Sequence, residues 1–121
     1  MMNSRIVIAD DDDDMRQLFC WIFKREGFET IEAVDGGEAI KRALDSDPGL
    51  ILLDIMMPGT NGFEACRCLK SDPRTNAIPV IFLSASSTRM SREEALRLGA
   101  ADYIGKPFRP SDLVQRIRAV M

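Results

Sequence analysis

The chain has 121 residues, of which 45% are hydrophobic and 29% are charged, and its formal net charge is −3 at pH 7. This length suits one domain with a single core, and the charged fraction is that of an ordinary solvated surface rather than of a disordered chain. The acidic balance argues against nucleic acid as a direct partner, because a phosphate backbone requires clustered Lys and Arg side chains.

Cysteine content and hydropathy predict where the protein works. Cys20, Cys66 and Cys68 are an odd number with no even framework for disulfides, which indicates a reducing compartment. The longest apolar run, 50–53, is far below the roughly 20 residues that cross a bilayer. The N-terminal residues show no secretory pattern. We therefore expect a cytoplasmic protein that does not associate with a membrane.

Short apolar runs alternate with segments of helical periodicity along the chain. In chain order, the first predicted elements are a strand at 6–9, a helix with the apolar face Met15, Leu18, Phe19 and Ile22, a strand at 28–33, and a helix with the face Ala39, Ile40, Ala43 and Leu44. There follow a strand at 50–53, a helix carrying Phe63, Cys66 and Leu69, a strand at 78–83, a helix at roughly 90–98, a strand at 101–105, and a last helix with the face Leu113, Val114, Ile117 and Val120.

This alternation predicts the fold class. Five strands and five helices in turn indicate parallel βαβ units with right-handed crossovers, so we expect an α/β fold with helices on both faces of one sheet. The continuous apolar run at 50–53 is typical of a central strand, whereas 28–33 is more polar and is expected near an edge. Periodicity alone leaves the strand order open. Residues 1–121 are predicted to form one domain.

Polar side chains follow four of the predicted strands at the point where each strand ends. Asp10 and Asp11 follow the first strand, Asp54 the third, Ser84 the fourth and Lys106 the fifth. Ligands of an open parallel sheet bind outside the carboxyl ends of its strands. We therefore expect three carboxylates, a hydroxyl and an ammonium group to meet at one edge of the sheet.

The chemistry of this set favours phosphoryl transfer to an aspartate. Crowded carboxylates repel one another unless a cation intervenes, and oxygen ligands without His or Cys select Mg²⁺, with Mn²⁺ as an alternative. A carboxylate can serve as a nucleophile towards phosphorus. Asp54 follows four apolar residues and could be a simple turn former, but Ile55-Met56-Met57 come before the turn signal, and an acid in that setting is costly without a purpose. Lys106 and Ser84 would then bind the phosphoryl oxygens.

Each of these residues also has an ordinary structural interpretation. Residues 12–14 suit a helix N-terminus, where acids cap free N–H groups and favour the helix dipole. Asp10 and Asp11 stand directly at the end of a strand, which favours the metal role. Ser84 alone and Lys106 alone are weak signals, and the prediction depends on the whole set in this order.

Four segments resemble the response-regulator receiver domain of two-component signalling. They are Ile6-Val7-Ile8-Ala9-Asp10-Asp11-Asp12, Leu52-Leu53-Asp54-Ile55-Met56-Met57-Pro58-Gly59-Thr60-Asn61-Gly62, Phe82-Leu83-Ser84-Ala85 and Tyr103-Ile104-Gly105-Lys106-Pro107-Phe108. The match extends over essentially the whole chain, with the segments in the family's order and at the family's spacings. The resemblance implies the flavodoxin-like strand order 2-1-3-4-5.

The resemblance also implies roles for individual residues. Asp54 would be the phosphoacceptor, and the Mg²⁺ ligands would be Asp10, Asp11, Asp54 and the main-chain carbonyl of Met56. Ser84 would be the switch hydroxyl, Lys106 the partner of the phosphate, Pro107 a cis-proline and Tyr103 the switch aromatic. Phosphorylation adds roughly −1.5 to −2 charges. Ser84 would move towards them, Tyr103 would enter the vacated space, and the face made by the fourth helix, fifth strand and fifth helix would change.

The implied partners are those of a signalling module rather than of an enzyme. A sensor histidine kinase or a histidine phosphotransfer protein would donate the phosphoryl group, and a downstream partner or output domain would sense the changed face. The domain would be a monomer or a phosphorylation-dependent dimer through that face, catalysing only its own phosphorylation and slow dephosphorylation. Trp21 lies off the apolar face of the first helix and is expected to be exposed, where it could anchor an interface. The alternative for Trp21 is partial burial under a loop.

Three rival functions fit parts of the pattern. A haloacid-dehalogenase-like phosphohydrolase needs a second acid two residues after the nucleophile, where Met56 stands. A flavodoxin-like flavin binder needs a phosphate loop after the first strand, where five acids would repel phosphate. A pure interaction module does not need the complete residue set. One departure from the family concerns Arg109, where an Asp often opens the last helix, so Ser111 is expected to cap that helix instead.

Overall fold

In the residues that the computed structural model describes (3–57, 59, 61–84 and 89–121), five strands alternate with five helices. The strands are β1 (Arg5–Ala9), β2 (Glu29–Ala33), β3 (Leu50–Asp54), β4 (Val80–Ser84) and β5 (Asp102–Gly105). The helices are α1 (Asp13–Arg25), α2 (Gly36–Ser46), α3 (Gly62–Ser71), α4 (Arg89–Arg97) and α5 (Pro110–Val120). Pro58, Thr60 and Ala85, which belong to the family-like segments, lie outside the described residues.

The strands form one parallel sheet in the order β2-β1-β3-β4-β5, as the resemblance predicted. The apolar run of β3 lies in the middle of the sheet and is buried along its whole length. The more polar β2 lies at an edge and is only partly buried. Hydrophobic content therefore decides which strands are central.

Two hydrophobic layers cover the two faces of the sheet. On one face, Phe19 and Phe23 of α1 and Leu113 and Ile117 of α5 pack against the alternate strand residues that point towards them. On the other face, the small and apolar residues of α2, α3 and α4 pack against the opposite set of strand residues. The five helices thus wrap the sheet from both sides, which is the doubly wound arrangement that the alternation predicted.

Among the described residues, side-chain caps begin three of the helices. Asp12 caps α1 by accepting hydrogen bonds from the N–H groups of Asp14 and Met15, which confirms the capping interpretation for Asp12. Asp35 and Asn61 cap α2 and α3 in the same way. The expectation for α5 was wrong: the N-cap position is Arg109, with no side-chain hydrogen bond, and Ser111 lies within the helix.

The structure corrects three further expectations. Leu18 was predicted on the apolar face of α1 but is 43% exposed, and the helix buries Arg16 and Cys20 instead. Leu44, predicted on the apolar face of α2, is 36% exposed. The strand predicted from Ile78 begins at Val80, because the N–H of Ile78 donates to the carbonyl of Thr75 in a turn. Trp21 is 58% exposed, as predicted. Within the described residues, no helix is long and apolar enough to cross a bilayer.

Candidate functional site

Strand register brings the ends of β1 and β3 together. Ala9 of β1 pairs with Leu53 of β3, so Asp10 and Asp54 are the next residues of two neighbouring strands. One carboxylate oxygen from each of Asp10, Asp11 and Asp54 lies within 4.8 Å of the other two. The sequence predicted this convergence from the positions where the strands end.

The remaining strand ends complete the same edge. Asp54 pairs with Leu83 of β4, which puts Ser84 one residue further along the neighbouring strand. Ser84 pairs with Gly105 of β5, and its carbonyl accepts a hydrogen bond of 2.8 Å from the N–H of Lys106. The peptide bond between Lys106 and Pro107 is cis. We call the set Asp10, Asp11, Asp54, Ser84 and Lys106 the carboxyl edge of the sheet.

The Lys106 amine lies between two of the acids. Its Nζ is 3.7 Å from Oδ2 of Asp54 and 3.8 Å from Oδ2 of Asp10. Both distances are too long for a hydrogen bond. The amine therefore balances charge at the two carboxylates while its N–H donors make no hydrogen bond to them.

Asp10 is buried with one oxygen unsatisfied. The side chain is almost inaccessible, and its Oδ1 accepts a hydrogen bond of 2.9 Å from the N–H of Asp12. Its Oδ2 is buried without a hydrogen-bond partner among the described residues. Burial, assisted by the neighbouring charge of Asp54, raises the pKa of Asp10 from 3.8 to about 6, against the lowering effects of the Asp12 N–H and of Lys106.

This donor set fits a hard divalent cation. Asp10 provides a buried oxygen that lacks a partner, Asp54 is largely buried, and Asp11 is exposed at the rim, so a cation could enter from solvent. Unpaired buried carboxylate oxygens are costly, and an ion with oxygen preference removes that cost. Asp10, Asp11 and Asp54 are therefore the residues that could hold Mg²⁺.

The structure places the other predicted residues in different surroundings. Met56 is 72% exposed, and its N–H donates a hydrogen bond of 3.3 Å to Oδ1 of Asp54. Ser84 is fully buried at the end of β4. Tyr103 is also fully buried, in the hydrophobic layer on the α2–α3–α4 side, and the guanidinium carbon of Arg92 lies 5.3 Å from its ring centroid.

Two residues that support the acids were not predicted from the sequence. Arg16 is buried on α1, and its Nη1 donates a hydrogen bond of 2.8 Å to the main-chain oxygen of Asp10. Gly62, the first residue of α3, packs against the main chain of Asp54 so closely that a Cβ would overlap the Asp54 carbonyl oxygen. Periodicity assigns a charged residue to solvent and a glycine to a turn, so neither contact has a sequence signal of its own.

Comparison with known proteins decides the family. The family model described as "Response regulator receiver domain" matches residues 6–118. The chain belongs to the response regulator receiver domain family. It is a receiver domain of two-component signalling.

Curated relatives of this receiver domain are longer than the chain. The phosphate regulon transcriptional regulatory protein PhoB of Escherichia coli (strain K12) is 40% identical over 120 residues, which are 99% of this chain and 52% of PhoB. The DNA-binding response regulator MtrA of Mycolicibacterium smegmatis is 37% identical over 118 residues, which are 98% of this chain and 50% of MtrA. The receiver domain thus spans about half the length of these relatives.

Solved structures share the fold over nearly the whole chain. The chemotaxis protein CheY4 of Vibrio cholerae superposes with a TM-score of 0.92 at 25% identity, over 98% of this chain and 99% of CheY4. The BeF3-activated N-terminal receiver domain of Klebsiella pneumoniae RstA superposes with a TM-score of 0.89 at 30% identity, over 95% of this chain and 96% of that domain. Both neighbours therefore agree with the strand order of this sheet.

Proposed function

We propose that this receiver domain accepts a phosphoryl group on Asp54 in a Mg²⁺-dependent reaction. One observation carries the proposal: one carboxylate oxygen from each of Asp10, Asp11 and Asp54 lies within 4.8 Å of the other two, and the Lys106 amine is 3.7 Å from Asp54. A structural aspartate has no need of two further acids and a buried unpaired oxygen beside it. A phosphoacceptor with a cation site does need them.

In the proposed transfer, an oxygen of the Asp54 carboxylate attacks phosphorus in line with the leaving group. The new O–P bond forms as the P–N bond of a donor phosphohistidine breaks, and the electron pair of that bond stays on the imidazole nitrogen. Lys106 pairs with a phosphoryl oxygen, since its N–H donors are not bound to either carboxylate. The Ser84 hydroxyl is the second phosphate ligand.

The metal would be held by this chain's own oxygens. Asp10, Asp11, Asp54 and the main-chain carbonyl of Met56 are the proposed ligands, and bound Mg²⁺, or Mn²⁺ in its place, supplies neutralisation of the charge on the phosphoryl oxygens. An open groove of about 680 Å³ lies next to Asp11 and is lined by Asp11, Met56, Met57, Asn61 and Phe63 among others. We expect a donor side chain to approach the acids along this groove.

The proposed output is a change of surface rather than a chemical product. Tyr103 is buried beside α4, and its main-chain oxygen accepts a hydrogen bond of 3.0 Å from Arg116 of α5. A shift of Ser84 towards the phosphate and of Tyr103 towards the space it leaves would therefore be felt by α4, β5 and α5 together. This face would control a downstream partner or output domain, as a monomer or through a phosphorylation-dependent dimer.

The proposed donor is a sensor histidine kinase or a histidine phosphotransfer protein. The proposed location is the cytoplasm, where the three cysteines, all free, would stay reduced. Within this scheme the receiver domain catalyses only its own phosphorylation and slow dephosphorylation. A phosphohydrolase would instead turn over a small phosphate ester many times.

The test treats the protein with acetyl phosphate and Mg²⁺ and looks for one acid-stable, base-labile phosphate. Asp54→Asn removes the nucleophile and should abolish the label, and EDTA should prevent it. Asp72→Asn is the matched control, because Asp72 is paired with Arg74 at the far end of α3. A label that survives in Asp54→Asn, or that is insensitive to EDTA, contradicts the proposal.

A further inference from the structure

Arg16 of α1 donates hydrogen bonds to three parts of the chain, one of which is the main chain of Asp10. Its Nη1 donates to the main-chain oxygen of Asp10 at 2.8 Å, its Nε donates to Glu32 of β2 at 2.9 Å, and its Nη2 donates to Asp13 in the first turn of α1 at 2.5 Å. The residue is 8% exposed. All three nitrogens of the guanidinium group are therefore engaged, and the side chain has little freedom to move.

Both main-chain polar groups of Asp10 are held by hydrogen bonds. The N–H of Asp10 donates to the carbonyl of Ala33 at 3.1 Å, and its C=O is held by Arg16. Its Oδ1 accepts from the N–H of Asp12, which leaves Oδ2 as the atom directed towards Lys106. The position of Oδ2 thus depends on the main chain of Asp10, whose carbonyl oxygen accepts a hydrogen bond from Arg16.

We propose that Arg16 is a positioning residue for divalent-cation binding, acting through the main chain of Asp10. This inference rests on the proposed function, because it assigns Arg16 a part in the same cation site. Partners that orient metal ligands typically affect metal affinity by about 10- to 100-fold when they are removed. Arg16 itself touches neither the Asp10 carboxylate nor Asp54 by any hydrogen bond or ion pair among the described residues.

Charge and position predict opposite effects for Arg16. Removing a positive charge near a cation site should strengthen cation binding if charge alone mattered, because repulsion of the ion is reduced. Removing the hydrogen bond from Arg16 to the main chain of Asp10 should weaken cation binding, because the buried Oδ2 is no longer held in place. The sign of the change in affinity therefore separates the two roles.

Two variants and one matched control use this difference. Arg16→Met removes the charge and the donors while keeping much of the apolar stem, and Arg16→Lys keeps the charge but loses the fork of donors. Arg5→Met is the control: Arg5 also binds a carboxylate of β2, Glu29, and a main-chain oxygen, that of Ser46, but at the opposite end of β1. All three variants are made in the full chain.

The measurement is the dissociation constant for Mn²⁺ alone, from the electron paramagnetic resonance signal of the free ion. We expect Arg16→Met to weaken Mn²⁺ binding about tenfold and Arg16→Lys to weaken it to a similar or smaller extent. Arg5→Met should stay within twofold of the wild type. Unchanged or tighter Mn²⁺ binding in both Arg16 variants overturns the positioning role.

A stability measurement keeps the result independent of folding damage. The increase in unfolding free energy on adding Mn²⁺ depends on the dissociation constant and not on the stability of the metal-free chain. A purely structural Arg16 lowers stability equally with and without Mn²⁺, whereas a positioning Arg16 also shrinks the increase. If Arg16→Met fails to fold, Arg16→Lys decides. Wild-type protein that binds Mn²⁺ no better than Asp10→Asn contradicts the proposed metal site itself, which is a different failure.

Discussion

Charged side chains at the two ends of the parallel sheet are satisfied to different degrees. At the amino ends of β1 and β5, which we call the amino edge, Asp102 accepts hydrogen bonds from two nitrogens of Arg116 and from the N–H of Tyr103. Arg5 likewise binds Glu29. At the carboxyl edge, Oδ2 of Asp10 is buried without a hydrogen bond among the described residues, and the Lys106 amine is 3.8 Å from it.

The contrast separates a carboxylate that stabilises the fold from one that is held ready for a ligand. A paired carboxylate contributes to stability and gains nothing from a metal ion. An unpaired buried carboxylate costs stability until a cation reaches it. Substitution of Asp10 and of Asp102 by Asn, which keeps the shape, should therefore change stability in opposite directions, and only the Asp10 variant should lose phosphorylation.

The largest expected effect is on phosphorylation. Asp10→Asn should slow labelling by acetyl phosphate and Mg²⁺ by at least about 100-fold, the upper end of what loss of a supporting partner costs at metal sites. Asp102→Asn should leave the rate within a few-fold of the wild type, because Asp102 lies at the amino edge. Initial rates of label incorporation measure both. Equal losses in the two variants would remove the distinction between the edges.

Two tightly packed glycines test the same contrast without changing charge. A Cβ on Gly62 would overlap the carbonyl of Asp54 and lie 2.8 Å from Cα of Ile55, and a Cβ on Gly49 would overlap the carbonyl of Asn3. Both Gly→Ala variants should lose about 1–3 kcal/mol of stability through overpacking. Only Gly62→Ala should displace Asp54, the proposed phosphoacceptor, and a displacement of 1 Å can cost about 100-fold in rate.

We expect Gly62→Ala to slow phosphorylation by about tenfold, since helix α3 can absorb part of the shift. Gly49→Ala should keep the wild-type rate under conditions where it is folded. Chemical denaturation and labelling on the same samples give both quantities. A Gly49→Ala variant that loses phosphorylation in proportion to its stability would show that the two edges are coupled.

Much of this arrangement could be predicted from sequence because it follows from where strands end. Asp10, Asp54 and Lys106 each follow an apolar run, and parallel strands bring such positions to one edge. The family-like segments supplied the strand order, which periodicity left open. The roles of these residues in phosphorylation stay predictions.

The errors arose where a single side chain departs from the periodic pattern. Leu18 fits the apolar spacing of α1, yet Arg16 takes the buried position because its long stem carries the charge to a main-chain oxygen and two carboxylates. The start of β4 shifted because a turn at Thr75 takes the N–H of Ile78. Contacts of this kind depend on tertiary neighbours and cannot be read from spacing.

The next largest effect is expected on the free energy of unfolding of the metal-free protein. Burial raises the pKa of Asp10 from 3.8 to about 6, with Asp54 adding to this and Lys106 opposing it, so the folded chain binds this proton more tightly than the unfolded chain. The cost of the charged form is therefore fully present above about pH 6 and disappears as the pH falls below 3.8. In EDTA, the free energy of unfolding of Asp10→Asn should exceed that of the wild type by roughly 2 kcal/mol at pH 7.5.

Urea denaturation at pH 7.5, 5 and 3.5 measures this gain, which should shrink at each step. Saturating Mg²⁺ should reverse the order at pH 7.5, because the wild type gains binding energy that Asp10→Asn largely lacks. A gain that is the same at all three pH values would mean that it does not come from the charge of Asp10.

The smallest effect is expected at the amino edge. Burial alone would raise the pKa of Asp102, but hydrogen bonds from Arg116 and from the N–H of Tyr103 outweigh it and leave the pKa below 3.8. The folded chain therefore releases this proton more readily than the unfolded chain, and the stabilisation is present above pH 3.8 and is lost as the pH falls through the lower folded value. Because the pair of Asp102 and Arg116 is partly exposed to solvent, Asp102→Asn should lower the free energy of unfolding by only about 1 kcal/mol at pH 7.

The same urea series measures this loss, which should decrease at pH 3.5, whereas the Asp10→Asn gain should already have decreased at pH 5. Mg²⁺ should raise the stability of Asp102→Asn by as much as it raises that of the wild type, because the proposed metal ligands are untouched. A smaller stabilisation by Mg²⁺ would mean that Asp102 affects the cation site through β5, since Lys106 follows that strand directly. An unchanged response leaves Asp102 as a carboxylate that serves only the fold.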